Sequence, residues 1–147
     1  MRIVFSGGGT GGHIYPALTI LRKIKEISPE TEGLSIGPAS GMEADIVPKE
    51  DIPFRTIRVS GFRRSLSAEN LKIAWRAGKS VFDAYRILRD FAPQVVVRTG
   101  GYVCGPVLLA AKLAGIPTLI QEQNVVPGLT NRILARIVDR VAVGCAE

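Results

Sequence analysis

Histidine occurs once in this chain, as His13, and cysteine twice, as Cys104 and Cys145. A lone histidine excludes a histidine-rich metal centre. Neither cysteine belongs to a Cys-x-x-Cys pair, so no disulfide framework or thiolate cluster is expected, and a reducing compartment is the simpler setting. No apolar run approaches the roughly 18 residues needed to cross a bilayer. Met1 leads straight into an apolar run and a glycine loop, so no secretory leader is expected and the chain reads as soluble or peripheral. Low-complexity tracts and repeats at solenoid spacing are also missing.

The 147 residues are 46% apolar and 22% charged, the balance of one globular domain with a sizeable core. The net charge of +6 is unevenly placed. Between Arg55 and Arg89 stand nine Lys or Arg against Glu69 and Asp83, a local charge of +7. Such a stretch suits nucleic acid or an anionic membrane. The scarcity of aromatics and the absence of a nucleic-acid motif argue against the former.

The stretch Gly7-Gly8-Gly9-Thr10-Gly11-Gly12-His13 follows the apolar run Ile3–Phe5 and precedes a helix-like segment, Ile14 to Ile27. Strand, glycine loop and helix start together make a site for an anion, because helix-start N–H groups lack partners and glycine permits close approach. The loop contains Gly-x-Gly-x-x-Gly, yet the second run ends in glycine and proline where a dinucleotide fold needs an acid. His13-Ile14 replaces the Lys-Ser/Thr of a Walker loop.

Apolar runs at 3–5, 34–36, 53–57, 95–97, 117–120 and 141–143 alternate with helix-like stretches at 14–27, 69–90, 106–114 and 129–137. That alternation predicts an α/β fold, an open parallel sheet with helices on both faces. Its carboxyl edge gathers two further loops, Thr99-Gly100-Gly101-Tyr102 and Gln121-Glu122-Gln123-Asn124. On the segment 69–90, Leu71, Ala74, Gly78, Val81, Tyr85 and Leu88 form the expected buried seam. Lys72, Arg76, Lys79 and Arg86 form a basic stripe, with Trp75 and Phe82 between the two. Rings beside cations suit an anionic bilayer surface, or mark an ordinary solvated helix face.

His13 at the mouth of the loop suits a general base, or a simple cap. Glu122 is the rival base, or a carboxylate that positions Asn124. Tyr102 can stack on a sugar or pack. Cys104, without a basic neighbour in sequence, reads as packing.

Taken together, Gly8–Leu18, Gly41-Met42-Glu43-Ala44-Asp45, Gly61-Phe62-Arg63-Arg64, Gly100-Gly101-Tyr102-Val103, Glu122-Gln123-Asn124 and Pro127–Arg132 closely resemble the MurG family. These are bacterial transferases that add N-acetylglucosamine to lipid I to make lipid II in peptidoglycan synthesis. The resemblance implies the N-terminal, acceptor-binding domain of a GT-B glycosyltransferase over residues 1–147, with a C-terminal domain holding most of the UDP site absent. It implies Thr10, Gly11, Gly12 and Asn124, with Gly100, Gly101 and Tyr102, at the substrates UDP-GlcNAc and lipid I. His13 or Glu122 would be catalytic, and no metal or other cofactor would be needed. It also implies that Trp75, Phe82, Lys72, Arg76 and Lys79 meet the cytoplasmic face of the plasma membrane. Gln121 departs from the family, which usually has histidine there. Alone, this half is expected to be inactive. The alternative is a non-catalytic acceptor-binding half of a split polyprenyl-diphosphate transferase with a separate donor-binding subunit.

Overall fold

The computed structural model describes residues 1–59, 69–101, 103–124, 126–127 and 129–144, with side chains at all of these except 69–74 and 129–130. Tyr102, the side chain of Lys72, Cys145 and the Gly61–Arg64 motif therefore lie outside the described residues. The strands are β1 (Arg2–Gly7), β2 (Glu32–Gly37), β3 (Phe54–Thr56), β4 (Val95–Gly100), β5 (Thr118–Glu122) and β6 (Arg140–Val143). The helices are α1 (Gly11–Ile27), α2 (Met42–Lys49), α3 (Glu69–Phe91), α4 (Cys104–Leu113) and α5 (Leu129–Leu134). All strands run parallel, in the order β3-β2-β1-β4-β5-β6.

β1 and β4 lie centrally, and both read as unbroken apolar runs because alternate residues serve two cores. Ile3, Phe5 and Val97 pack with Ile14, Leu18 and Leu21 of α1 and Val47 of α2. Val4, Val96 and Ile120 pack on the other face with Ala84 and Leu88 of α3 and Val107, Leu108 and Ala111 of α4. The chain leaves β1 toward β2 and β3, then returns to place β4 on β1's other side. The direction of winding reverses there, so the adjoining loops part at the carboxyl ends and leave a crevice.

Several boundaries differ from the sequence reading. α1 begins at Gly11, so Gly11 and Gly12 form its first turn instead of lying in a loop. α2 was not expected: it is short, opens after Gly41 and carries Pro48 in its last turn. α5 ends at Leu134, short of Ile137. The buried line of α3 is Ser80, Ala84 and Leu88, with Val81 and Tyr85 only half-buried and Gly78 exposed. The expected seam is thus rotated. Ser80 sits in it because its hydroxyl donates to the carbonyls of Arg76 and Arg58, which removes the penalty for burying it.

Candidate functional site

Three loops meet over the crevice. Gly8 N–H donates to the Gly100 carbonyl at 3.2 Å, joining the loop after β1 to the end of β4. Gln123 Nε2 donates to the Gly12 carbonyl at 2.9 Å, joining the loop after β5 to α1. Thr99 Oγ1 donates to the His13 carbonyl at 2.6 Å from the β4 side. Thr10, Gly11, Gly12, His13, Gly100, Gly101 and Asn124 are therefore drawn to one edge of the sheet.

Thr10 is the N-cap of α1, with extended backbone (φ −145°, ψ 155°) and no side-chain bond to the helix start. Its carbonyl accepts from His13 and Ile14 N–H. Gly8 and Gly9 N–H are taken, by Gly100 and by Glu43, whereas Gly11 and Gly12 N–H have no partner among the described residues. The unfilled donors thus sit on the first turn of a 17-residue helix, where its dipole adds positive potential.

His13 is held in a defined tautomer. Its Nδ1 lies 3.0 Å from the Gly8 carbonyl, an oxygen that can only accept, so Nδ1 carries the hydrogen and Nε2 the lone pair in the neutral ring. Thr10 Oγ1 stands 3.3 Å from the same nitrogen. The ring rests on Gly100, where a Cβ would come within 2.2 Å of His13 Cδ2. The arrangement gives a base with one oriented lone pair.

Most of the loop glycines are explained by tight neighbours instead of by ligand approach. A Cβ on Gly7 would lie 2.0 Å from Thr99 Oγ1, one on Gly8 2.0 Å from Glu43 Oε1, and one on Gly101 2.5 Å from the Gly8 carbonyl. A Cβ on Gly9, at φ +87°, would meet nothing within 4 Å, and one on Gly12 only Thr10 Oγ1, at 3.8 Å. Glu43 is the residue that sequence reasoning missed. It is fully buried at the start of α2, and its Oε2 accepts from Gly9 N–H at 3.0 Å. The one local signal was an acid in a helix's first turn, which the dipole favours.

Glu122 stands apart from His13 chemically. It follows Ile120 on the face that packs against α4, is 3% exposed, and accepts from Asn124 N–H, Asn124 Nδ2 and Asn131 Nδ2. Burial alone would raise its pKa. The bonds from Asn131 and Asn124, with the nearby Arg98 charge, outweigh that and hold the carboxyl below its ordinary value. A carboxylate so bonded holds its loop in order. Glu122, Asn124, Asn131, Arg132, Val141 and Val143 border a cavity of about 330 Å³.

Arg98 lies beneath the same loops, 2% exposed, its Nη2 donating to the Gly101 carbonyl at 3.3 Å. Nε and Nη1 have no partner among the described residues. Burial pushes its pKa down, against the pull of Cys104 and Glu122. Cys104 is buried, donates to the Ser6 and Gly100 carbonyls, and is pushed up by burial, which fits packing and not reactivity. Among the described residues no cluster of His, Cys, Asp or Glu could hold a metal ion.

On α3, Trp75 is 69% and Phe82 60% exposed, and Lys79 Nζ lies 5.7 Å from the Trp75 ring centre. Arg76, Lys79 and Arg86 are exposed beside them. Among the described residues no helix is long and apolar enough to cross a membrane.

An open parallel sheet with unfilled helix-start donors and an oriented imidazole at its switch point defines a Rossmann-like domain with an anion-binding edge. The model of the glycosyltransferase family 28 N-terminal domain matches residues 3–143, and the chain belongs to that family. It is 55% identical over its full length to UDP-N-acetylglucosamine--N-acetylmuramyl-(pentapeptide) pyrophosphoryl-undecaprenol N-acetylglucosamine transferase 2 of Bacillus thuringiensis (strain Al Hakam), and 57% identical to the corresponding transferase of Bacillus cytotoxicus. The chain spans 40% of the length of each. The crystal structure of Acinetobacter baumannii MurG superposes with a TM-score of 0.84 at 33% identity, over 99% of this chain and 42% of that one. The fold expected from the sequence, the N-terminal half of a GT-B glycosyltransferase, is the fold found.

Proposed function

We propose that this chain is the acceptor-binding, membrane-facing half of an inverting transferase that moves N-acetylglucosamine from UDP-GlcNAc to the 4-hydroxyl of lipid I. The observation that carries the reading is the His13 imidazole, its Nδ1–H committed to the Gly8 carbonyl and its Nε2 left as a base, beside the unfilled Gly11 and Gly12 N–H groups. Nε2 takes the proton of the 4-hydroxyl, the oxygen bonds to C1 of the donor sugar with inversion, and the bond from C1 to the UDP oxygen breaks. The α1 start stabilises diphosphate charge through N–H groups and dipole. Asn124, its own N–H and amide tied to Glu122, offers its remaining amide groups to sugar hydroxyls.

A second, donor-binding domain is part of this proposal, as either a continuation of the chain or a separate subunit. So is docking of Trp75, Phe82, Lys72, Arg76 and Lys79 on the anionic cytoplasmic face of the membrane, where an undecaprenyl-linked acceptor resides. The support is a ring pair exposed among cations on one helix. The test is complementation: this chain, mixed with a donor-binding half, is assayed for lipid II formation. Transfer by the mixture, none by the chain alone, and a loss of at least a hundredfold in His13→Ala, within the span ascribed to general base catalysis of about 10²–10⁴, are expected. Full activity of His13→Ala removes the imidazole from the mechanism.

A further inference from the structure

Pro16 sits inside α1, where a proline nitrogen has no hydrogen to give. In an α-helix residue 16 would donate to the carbonyl of residue 12. That acceptor, the Gly12 carbonyl, instead receives Gln123 Nε2 at 2.9 Å, from a residue 111 positions away. Gln123 stands between Glu122, tied to α5 through Asn131, and Asn124, tied to Glu122. The loop after β5 is thus fixed on one side to α5 and on the other to the first turn of α1.

We infer that Pro16, the Gly12 carbonyl and Gln123 form a latch that sets the gap between the His13 turn and Asn124, making Pro16 and Gln123 positioning residues of the site. The proline's role is to leave an acceptor unclaimed by its own helix. Gly12 suits the junction because its missing Cβ leaves that side open, the nearest atom, Thr10 Oγ1, being 3.8 Å from where a Cβ would lie. The inference rests on the function proposed above for its meaning, but the latch can be tested without any substrate.

The experiment is a double-mutant cycle on the 147-residue chain. Gln123→Met removes the donor while keeping length, and Pro16→Ala returns the helix's own N–H to the Gly12 carbonyl. In the Pro16 background, Gln123→Met is expected to lower the folding equilibrium constant about fivefold, the worth of one ordinary hydrogen bond. In the Pro16→Ala background the loss should be less than about twofold, because the carbonyl is already satisfied. Equal losses in both backgrounds overturn the latch. If Gln123→Met does not fold, NMR of the unaltered chain decides. Slowed exchange of the Gln123 Nε2 protons, with scalar coupling to the Gly12 carbonyl carbon, supports the latch, and freely exchanging protons overturn it. In the complementation assay each single variant should lower kcat/KM, and the double variant should lower it no further. Multiplying losses there overturn the shared positioning role. An inactive unaltered mixture counts against the proposed function, and the latch is then judged on the stability cycle.

Discussion

Replacing Arg98 with methionine should stabilise the domain. Its guanidinium is 2% exposed, makes one long bond to the Gly101 carbonyl, and leaves Nε and Nη1 without partners among the described residues. Each unmade buried donor costs about 1–3 kcal/mol, and the single retained bond returns about 1–2 kcal/mol. The attraction of Glu122 acts without a direct contact, so it offsets only part of the desolvation of the charge. Methionine fills a similar volume with no polar atoms, so it removes two unmade donors at the loss of one bond and of the attraction to Glu122, a net gain on the order of 2 kcal/mol. A gain near 2 kcal/mol would raise the melting temperature of a chain of this length by roughly 4–8 °C. Thermal unfolding followed by circular dichroism, with Arg98→Ala as the cavity-forming control, reads this directly. A melting temperature lowered by Arg98→Met would refute the reasoning, because it would show the guanidinium to be fully paired where it lies.

Two glycines of the same glycine-rich stretch should respond in opposite ways. Gly8→Ala forces a methyl onto Glu43 and should destabilise by about 1–3 kcal/mol. Gly12→Ala, in a helix turn with open space, should leave stability equal or up to about 1 kcal/mol higher while lowering transfer in the complementation assay. Denaturant midpoints separate the two, and equal destabilisation contradicts the account of the loop. Glu122 and Asp139 both have carboxyl pKa values held below the ordinary range, Asp139 by Lys112 and Thr118. The folded state therefore binds its last proton at lower pH than the unfolded chain. Their contribution is complete above the ordinary carboxylate range of about 4–4.5 and is lost as pH falls below it. Urea midpoints should drop between pH 6 and pH 3, and Glu122→Gln should flatten that slope; an unchanged slope argues against the assignment. Trp75→Ala and Phe82→Ala should each weaken binding to phosphatidylglycerol vesicles roughly tenfold or more, the worth of an inserted ring, with added salt weakening all variants further. Unaltered vesicle partitioning in both removes the docking face.

The central strands were legible because burial on both faces leaves no polar residue to blur a run such as Ile3–Phe5 or Val95–Val97. α1 was legible from the spacing of Ile14, Leu18 and Leu21, although its start was placed too late because Gly11 and Gly12 look like loop. α2 escaped notice, since eight residues that open after a glycine and include Pro48 carry too little apolar periodicity. The buried face of α3 was placed without Ser80, whose hydroxyl two carbonyls satisfy in the interior. At the site, the meeting of three carboxyl-edge loops followed from parallel topology. The division of labour among Glu122, Gln123 and Asn124 did not, because it rests on partners at Asn131 and Gly12 that no local pattern announces. Glu43 was invisible for the same reason: burial of a carboxylate is a tertiary property.

Gly8 with Glu43, Gly7 with Thr99 and Gly100 with His13 are each a vacancy and its occupant. Over evolutionary time the two members of such a pair cannot drift independently. A side chain gained at one place demands a smaller tenant at the other, so substitutions here should be inherited in couples and be harmful singly. The glycine richness of the stretch then records crowding, and its tolerance of change is set as much by residues 43 and 99 as by anything it binds.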